Sequence, residues 1–486
     1  MSKNHWQHPL FLYIRLIDKL FKSDILLLII KSEVKIKMNS RYSLDMTSAP
    51  FLKKIFIFSI PLILTGLLQL AYNTADVVVV GRFAGSEALA AVGSTGSLIN
   101  LLLNVFIGLS MGSGVMVARH IGSGDEERIR NCTHTAMLMS LISGVFVGLI
   151  GFFLSGKILV LMGSPHDVLP LATLYLKIYF AGCPGSMVYN FGSAIVRATG
   201  DTKRPLFILA STGLVNVALN LILVINFHMG VSGVAIATIV SQYLSAIMIV
   251  IHLTKLNNSC KLHFSKLRLN KTELLKIIGI GLPAGVQNSL FSISNVIIQS
   301  TVNSFGSVAM AGIAAGSNYD SYIYTATNAI SQTTMTFSSQ NMGARKHENV
   351  GKIYRYCIII ASIIGVVMGA VGTVFSEFIV GFFSTDKAVV AIGAERLALV
   401  MPFYVFCSLM DVAAGQLRGM GESFKPMIVS LLGGCGIRLF WIYAILPLNR
   451  TLMFLYWAYP ISWAATFVVQ FSLYFILKNR IFRKNS

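Results

Sequence analysis

VRATGDTKRP (residues 196–205) and LRGMGESFKP (417–426) are one phrase written twice, 221 positions apart. Two further pairs keep that offset: FAGSEALAAVG (83–93) with SFGSVAMAGIA (304–314), and ARHIGSG (118–124) with SQNMGAR (339–345). Three weak matches at one offset divide the chain into two related halves.

What the halves are made of follows from composition. Of 486 residues 55% are hydrophobic and only 12% charged, with a mean hydropathy of +0.71. Soluble domains carry about 25% charged residues, so the chain reads as an integral membrane protein. Its apolar runs are about 20–30 residues long, the length of helices crossing a hydrocarbon core of roughly 30 Å. Alternating ten-residue strands are missing from the pattern, which argues against a barrel.

The runs between charge clusters predict twelve spans: 55–80, 87–118, 132–155, 167–196, 204–227, 230–254, 273–303, 306–339, 353–377, 388–417, 426–449 and 453–477. Loops after even-numbered spans hold 22 Lys and Arg, against five on the other side: Arg82, Lys157, Lys387, Arg396 and Arg450. Basic loops stay cytoplasmic, so both termini are expected inside. The same rule accounts for the net charge of +20 without nucleic acid. Six spans per half make the repeats parallel, related by an axis along the membrane normal. The expected fold is therefore all-α: twelve transmembrane helices in two six-helix lobes. Residues 38–254 form the N-lobe, 255–272 a basic cytoplasmic linker, and 273–486 the C-lobe with its basic tail. Residues 1–37 fall outside this plan. DILLLII is too short to span, and the stretch reads as a dispensable extension ahead of a misplaced start, with an interfacial helix as the rival reading.

Six scattered cysteines form no CxxC pair and read as packing residues. GFFLSGKI (151–158) imitates a phosphate-binding loop, but Ile158 stands where a hydroxyl should hold magnesium. No nucleophile elbow or HExxH appears, so neither an enzyme nor an ATP-driven pump is expected, and no cofactor. Transport must then draw on an ion gradient, which needs a titratable or cation-binding group inside the membrane.

NTADVVVVGRFAG (73–85) supplies one. Asp76 follows a long apolar run, where an ionised carboxylate costs roughly 3 kcal/mol or more. Asn73 and Gln69 lie three and seven positions before it and can share its face. Asn216 and Asn220 in VNVALNLILV are one turn apart on span five.

Pro61, NTADVVVVGRFAG, RATGDTKRP, GVAIATIVSQ in span six, and SNYDSYIY…TTMTFSSQNMGA in span eight together resemble the multidrug and toxin extrusion (MATE) family, over about residues 46–480. The resemblance implies a two-lobed exporter that exchanges cytosolic drugs or metabolites for H⁺ or Na⁺ by alternating access. It implies that Asp76 is the span-one coupling acid, with Asn216, Asn220, Thr238 and Tyr175 completing an N-lobe ion site. Some members carry Asp at the second span-five position; Asn220 here leaves a single carboxylate. Asp320 falls where the family often has an acid in span eight. Asp411 aligns through the repeat with Asn190. Arg438, mid-way along span eleven, needs a partner, for which Asp411 is expected and Asp320 is the rival. Gln69, Asn73, Asn190, Gln287, Asp320, Asp411 and Arg438 are the candidate lining of the substrate cavity. Lys177 is expected to snorkel to the interface. Acidic walls favour lipophilic cations as substrates. The expected partners are the lipid bilayer and small-molecule drugs or metabolites, the expected state a monomer, and the location a bacterial cytoplasmic membrane. A flippase for lipid-linked precursors is the alternative, which would call for a cationic cavity.

Overall fold

The computed structural model describes residues 44–161, 165 and 167–485; the expectation for residues 1–37 lies outside them. Among the described residues there is no strand, and the helices fall into the twelve expected spans. In the first half these are α1 (Phe51–Phe83), α2 (Ser86–Ser123), α3 (Glu126–Leu161), α4 (Leu169–Ala181 and Cys183–Ala198), α5 (Lys203–Leu221, running into a π turn Ile222–Asn226) and α6 (Gly230–Thr254). The second half holds α7 (Lys271–Asn303), α8 (Ser307–Gly343), α9 (His347–Val374), α10 (Lys387–Gly419), α11 (Phe424–Leu448) and α12 (Leu452–Ile481).

Ten of these are by themselves long and apolar enough to cross a membrane. The other two have local reasons. Helix α4 breaks at Gly182, since Pro184 at the start of its second piece has no N–H to donate. Helix α8 carries Asn318, Asp320, Asn328 and Gln332 along its length.

The 221-residue offset recurs in the backbone. Gly85 and Gly306 take φ of 90° and 97°, and Gly200 and Gly421 take 93° and 98°. Gly124 at 71° matches Arg345 at 56°.

The lobes join at their basic end through contacts that obey the same relation. Arg119 Nη2 donates to the Gly419 carbonyl at 3.0 Å, and Gln340 Nε2 to the Ala198 carbonyl at 2.8 Å. Each donor lies 221 positions from the other, and so does each acceptor. A Cβ on Gly122 would lie 1.9 Å from Gln340 O, and one on Gly343 1.9 Å from Arg119 O, so both positions need glycine for this approach. Helices α2 and α7 then run together along Gly108 and Gly112 against Gly281 and Gly285.

Two helices exchange lobes. The basic-end half of α1 (Phe51, Ile55, Phe58, Leu62) is buried in the C-lobe core with Phe337, Ile353 and Val412, and Phe58 meets Phe337 edge-on at 5.4 Å. Reciprocally, Ile277 and Ile280 of α7 join the N-lobe core. Further along, Ser289 Oγ donates to Leu101 O at 3.2 Å and Asn104 Nδ2 to Ser292 Oγ at 3.3 Å. Beyond that level no hydrogen bond links the lobes among the described residues. Among the described residues the hydrogen bonds between the lobes thus gather at the basic end and midway along α2 and α7.

Candidate functional sites

In the N-lobe, the far half of α1 leans on α5, where Tyr72 Oη donates to Ala210 O at 3.1 Å. This places Asp76 beside Asn220, whose Nδ2 donates to Asp76 Oδ1 and also to Asn216 Oδ1 at 3.2 Å. Thr238 on α6 lies close to the same carboxylate, its hydroxyl donating to Val234 O at 2.9 Å. Tyr175 and Tyr179 of α4 lie close enough to feel its charge, their rings stacked at 6.1 Å. Asn216, Asn220 and Tyr175 are buried. Asn220 Oδ1 is buried without a donor. The site therefore gathers a carboxylate, two amide oxygens and a hydroxyl, a hard oxygen set able to hold Na⁺ or to share a proton.

Three further candidates form no hydrogen bond to this carboxylate among the described residues. Gln69 and Asn73 are exposed and form no hydrogen bond among the described residues. Asn190 spends its amide on Ser186 O, one turn back at 2.9 Å. Lys177 is exposed, with its ammonium 5.8 Å from the Phe152 ring centre.

The C-lobe site is a cavity of about 660 Å³ lined by α2, α7, α8, α10, α11 and α12. Asp320 on α8 pairs with Arg396 on α10, Nη2 to Oδ2 at 2.5 Å and Nη1 to Oδ1 at 3.4 Å, with the Arg396 side chain only 3% exposed. The charge count by sides had set Arg396 in an outer segment. It is a buried ion-pair partner instead, and its depth, nine residues into α10, was the available signal. Gln287 accepts from Arg418 Nη2 at 2.8 Å, and Arg418 is also the cation nearest Asp411 in effect. Arg418 itself belongs to the LRGMGESFKP phrase and had been assigned to a basic loop.

Arg438 departs from expectation. It pairs with neither Asp411 nor Asp320. Its Nε donates to Ser462 Oγ at 2.9 Å, and its guanidinium lies 4.7 Å from the Tyr459 ring centre and 5.7 Å from that of Trp463. The cause is local: π turns Leu431–Gly436 and Trp441–Ile445 bracket the short α segment Ile437–Phe440. Extra residues per turn rotate side chains off the face that regular α spacing assigns, here toward α12.

The MatE family model matches residues 61–222 and 283–443, corresponding parts of the two halves. "Probable multidrug resistance protein YoeA" of Bacillus subtilis (strain 168) is 26% identical over 439 residues, 88% of this chain and 94% of that protein. "Probable multidrug resistance protein YpnP" of the same strain is 28% identical over 389 residues, 80% and 87% of the two chains. A solved MOP superfamily transporter from Pyrococcus furiosus Vc1 (DSM3638) shares the fold with a TM-score of 0.84 at 23% identity, covering 90% of this chain and 97% of its own.

Proposed function

The chain belongs to the MatE family of membrane transporters, and from that premise we propose that it is a multidrug exporter driven by H⁺ or Na⁺ through Asp76. The observation that carries the reading is the bond from Asn220 Nδ2 to Asp76 in a pocket otherwise made of amides and hydroxyls. Among the described residues no guanidinium or ammonium pairs with this carboxylate, so its charge is free to be cancelled by the coupling ion. Loading the ion removes the repulsion and desolvation that favour one packing of α1, α5 and α6, and the other packing gains population. With its interlobe hydrogen bonds gathered at the basic end and midway along α2 and α7, the state described would release substrate at the opposite end. Return requires the symmetric contacts of Arg119 and Gln340 to break. The basic end would face the cytoplasm of a bacterial cell, by the distribution of Lys and Arg. The likeness to proteins described as probable multidrug resistance proteins supports drug export over lipid flipping.

The test is ethidium efflux from proteoliposomes under an imposed pH gradient or an imposed Na⁺ gradient, with wild type and Asp76→Asn. Efflux driven by one gradient and lost in the variant is expected. Undiminished gradient-driven efflux by Asp76→Asn would sink the proposal.

A further inference from the structure

Where the basic ends of α2, α3 and α7 meet, three buried side chains of different metal-binding chemistry face one another. His120 lies in the last turn of α2, Cys132 in the second turn of α3 and Glu273 in the first turn of α7. One donor atom from each, an imidazole nitrogen, a thiol sulfur and a carboxylate oxygen, lie within 4.8 Å of one another. The side chains of His120 and Glu273 are 5% and 4% exposed, and Cys132 is fully buried. His120 Nε2 and Glu273 Oε2 are 2.7 Å apart, while Glu273 Oε1 accepts from Lys276 Nζ at 2.9 Å. Lys276 thus orients the carboxylate, as outer partners orient ligating carboxylates at metal sites. A thiol kept only for packing sits among apolar groups; Cys132 instead stands beside an imidazole and a carboxylate. The trio comes from three helices, so no sequence spacing announces it, and ion coupling at Asp76 makes no use of it.

We propose that His120, Cys132 and Glu273 form a zinc site that pins the start of α7 to α2 and α3. Zn²⁺ accepts mixed nitrogen, sulfur and oxygen donors at roughly 2.0–2.3 Å, which in a tetrahedron sets ligand atoms about 3.3–3.8 Å apart. The trio reaches that spacing by shifts of about 1 Å or less. Magnesium and calcium call for oxygen throughout, and copper(I) for more sulfur. In the bound state Nε2 and Oε2 both present lone pairs to the metal, and the Cys132 thiol releases its proton to water as the Zn–S bond forms. Water can take the fourth position, since a cavity of about 940 Å³ at the basic end has His120 and Lys276 in its lining. Two cations of that lining are already paired, Arg128 with Asp125 at 3.1 Å and Lys276 with Glu273. Arg119 and Arg345 also line it and slow the entry of a cation, so loading is read at equilibrium. Ile277 and Ile280 already seat this end of α7 in the N-lobe core. The metal adds a coordinate tie across the same seam.

The test titrates the full chain, purified without a histidine tag, with Co²⁺, which occupies zinc sites and reports thiolate ligation by a sulfur-to-cobalt absorption in the near ultraviolet. Wild type is expected to develop this absorption with one equivalent of Co²⁺ and to lose it when one equivalent of Zn²⁺ follows. Cys132→Ser, close in size, should abolish it, whereas Cys357→Ala in the C-lobe core should leave it intact. Competition with a zinc-chelating dye should show the affinity for Zn²⁺ falling roughly 100-fold or more in Glu273→Gln, at or beyond the top of the range for losing an outer-shell partner. The proposal is overturned by no absorption in wild type, by one that survives Cys132→Ser or vanishes equally in Cys357→Ala, or by unchanged zinc affinity in Glu273→Gln. The wild-type spectrum stands even if a variant misfolds. Metal binding is measured without transport, so its outcome is independent of the coupling role of Asp76.

Discussion

The two lobes share a backbone and differ in what they hold at matching places. Tyr175 of α4 corresponds, 221 positions on, to Arg396 of α10; Asn190 corresponds to Asp411. On α6, Thr238 and Gln242 correspond to Tyr459 and Trp463 of α12. In the N-lobe Tyr175 and Thr238 lie near a single carboxylate while Asn190 bonds its own helix; in the C-lobe the matching positions build an ion pair, an acid with an unbonded oxygen and the rings on which an arginine is seated. One scaffold thus carries a lone acid among neutral groups on one side and a buried ion pair beside further charges on the other. The lesson is that a repeat conserves where side chains converge, and leaves open what they recognise.

The widest separation of the lobes should come from removing the acid of one. Asp76→Asn is expected to reduce gradient-driven ethidium efflux in proteoliposomes to the leak rate. Next in size is the ion pair. Arg396→Gln leaves the Asp320 charge alone at depth and should cost about 2–4 kcal/mol, slightly below the range for fully buried pairs because Asp320 keeps 23% of its side-chain surface. Thermal unfolding of the purified protein would read it, and Asp320→Asn in the same chain should recover part of the loss.

A symmetric pair of substitutions tests the relation itself. Gly122→Ala and Gly343→Ala each drive a Cβ into the carbonyl opposite, at a cost of about 1–3 kcal/mol to the closed basic end. An Ala198→Cys reporter should then react faster with a membrane-impermeant maleimide, about equally in the two variants; a one-sided result would break the equivalence of the lobes. The smallest effect belongs to Asp45, ahead of α1. Partial burial pushes its carboxyl up, but hydrogen bonds from Ser48 and Thr47 and the charge of Lys54 outweigh this and hold it at about 2 instead of 3.8. Its contribution is therefore present above pH 3.8 and fades as pH falls toward about 2. With the side chain 58% exposed, Asp45→Asn should change stability at neutral pH by no more than about 0.5 kcal/mol.

Much of this was legible in the residues. Hydropathy placed the spans, and one offset found the halves. An acid in an apolar run marked Asp76, and the one-turn spacing of Asn216 and Asn220 put both amides on its side. Arg396 was misread because counting charges by loop takes no account of depth. Arg438 was assigned the wrong neighbour because the spacing argument presumes regular α geometry, and α11 contains two π turns.

Sequence by itself determined what the solvent imposes: in hydrocarbon every backbone group must bond within its own helix, so composition and length dictate twelve spans, and charge asymmetry is the ground for their proposed direction. Only the tertiary structure decided which faces meet. That α1 and α7 cross into each other's lobes, that glycines close the basic end, and that Arg438 rests on aromatic rings all depend on packing between segments hundreds of residues apart. Such packing is set by shape complementarity along whole helices, which no local pattern of residues records.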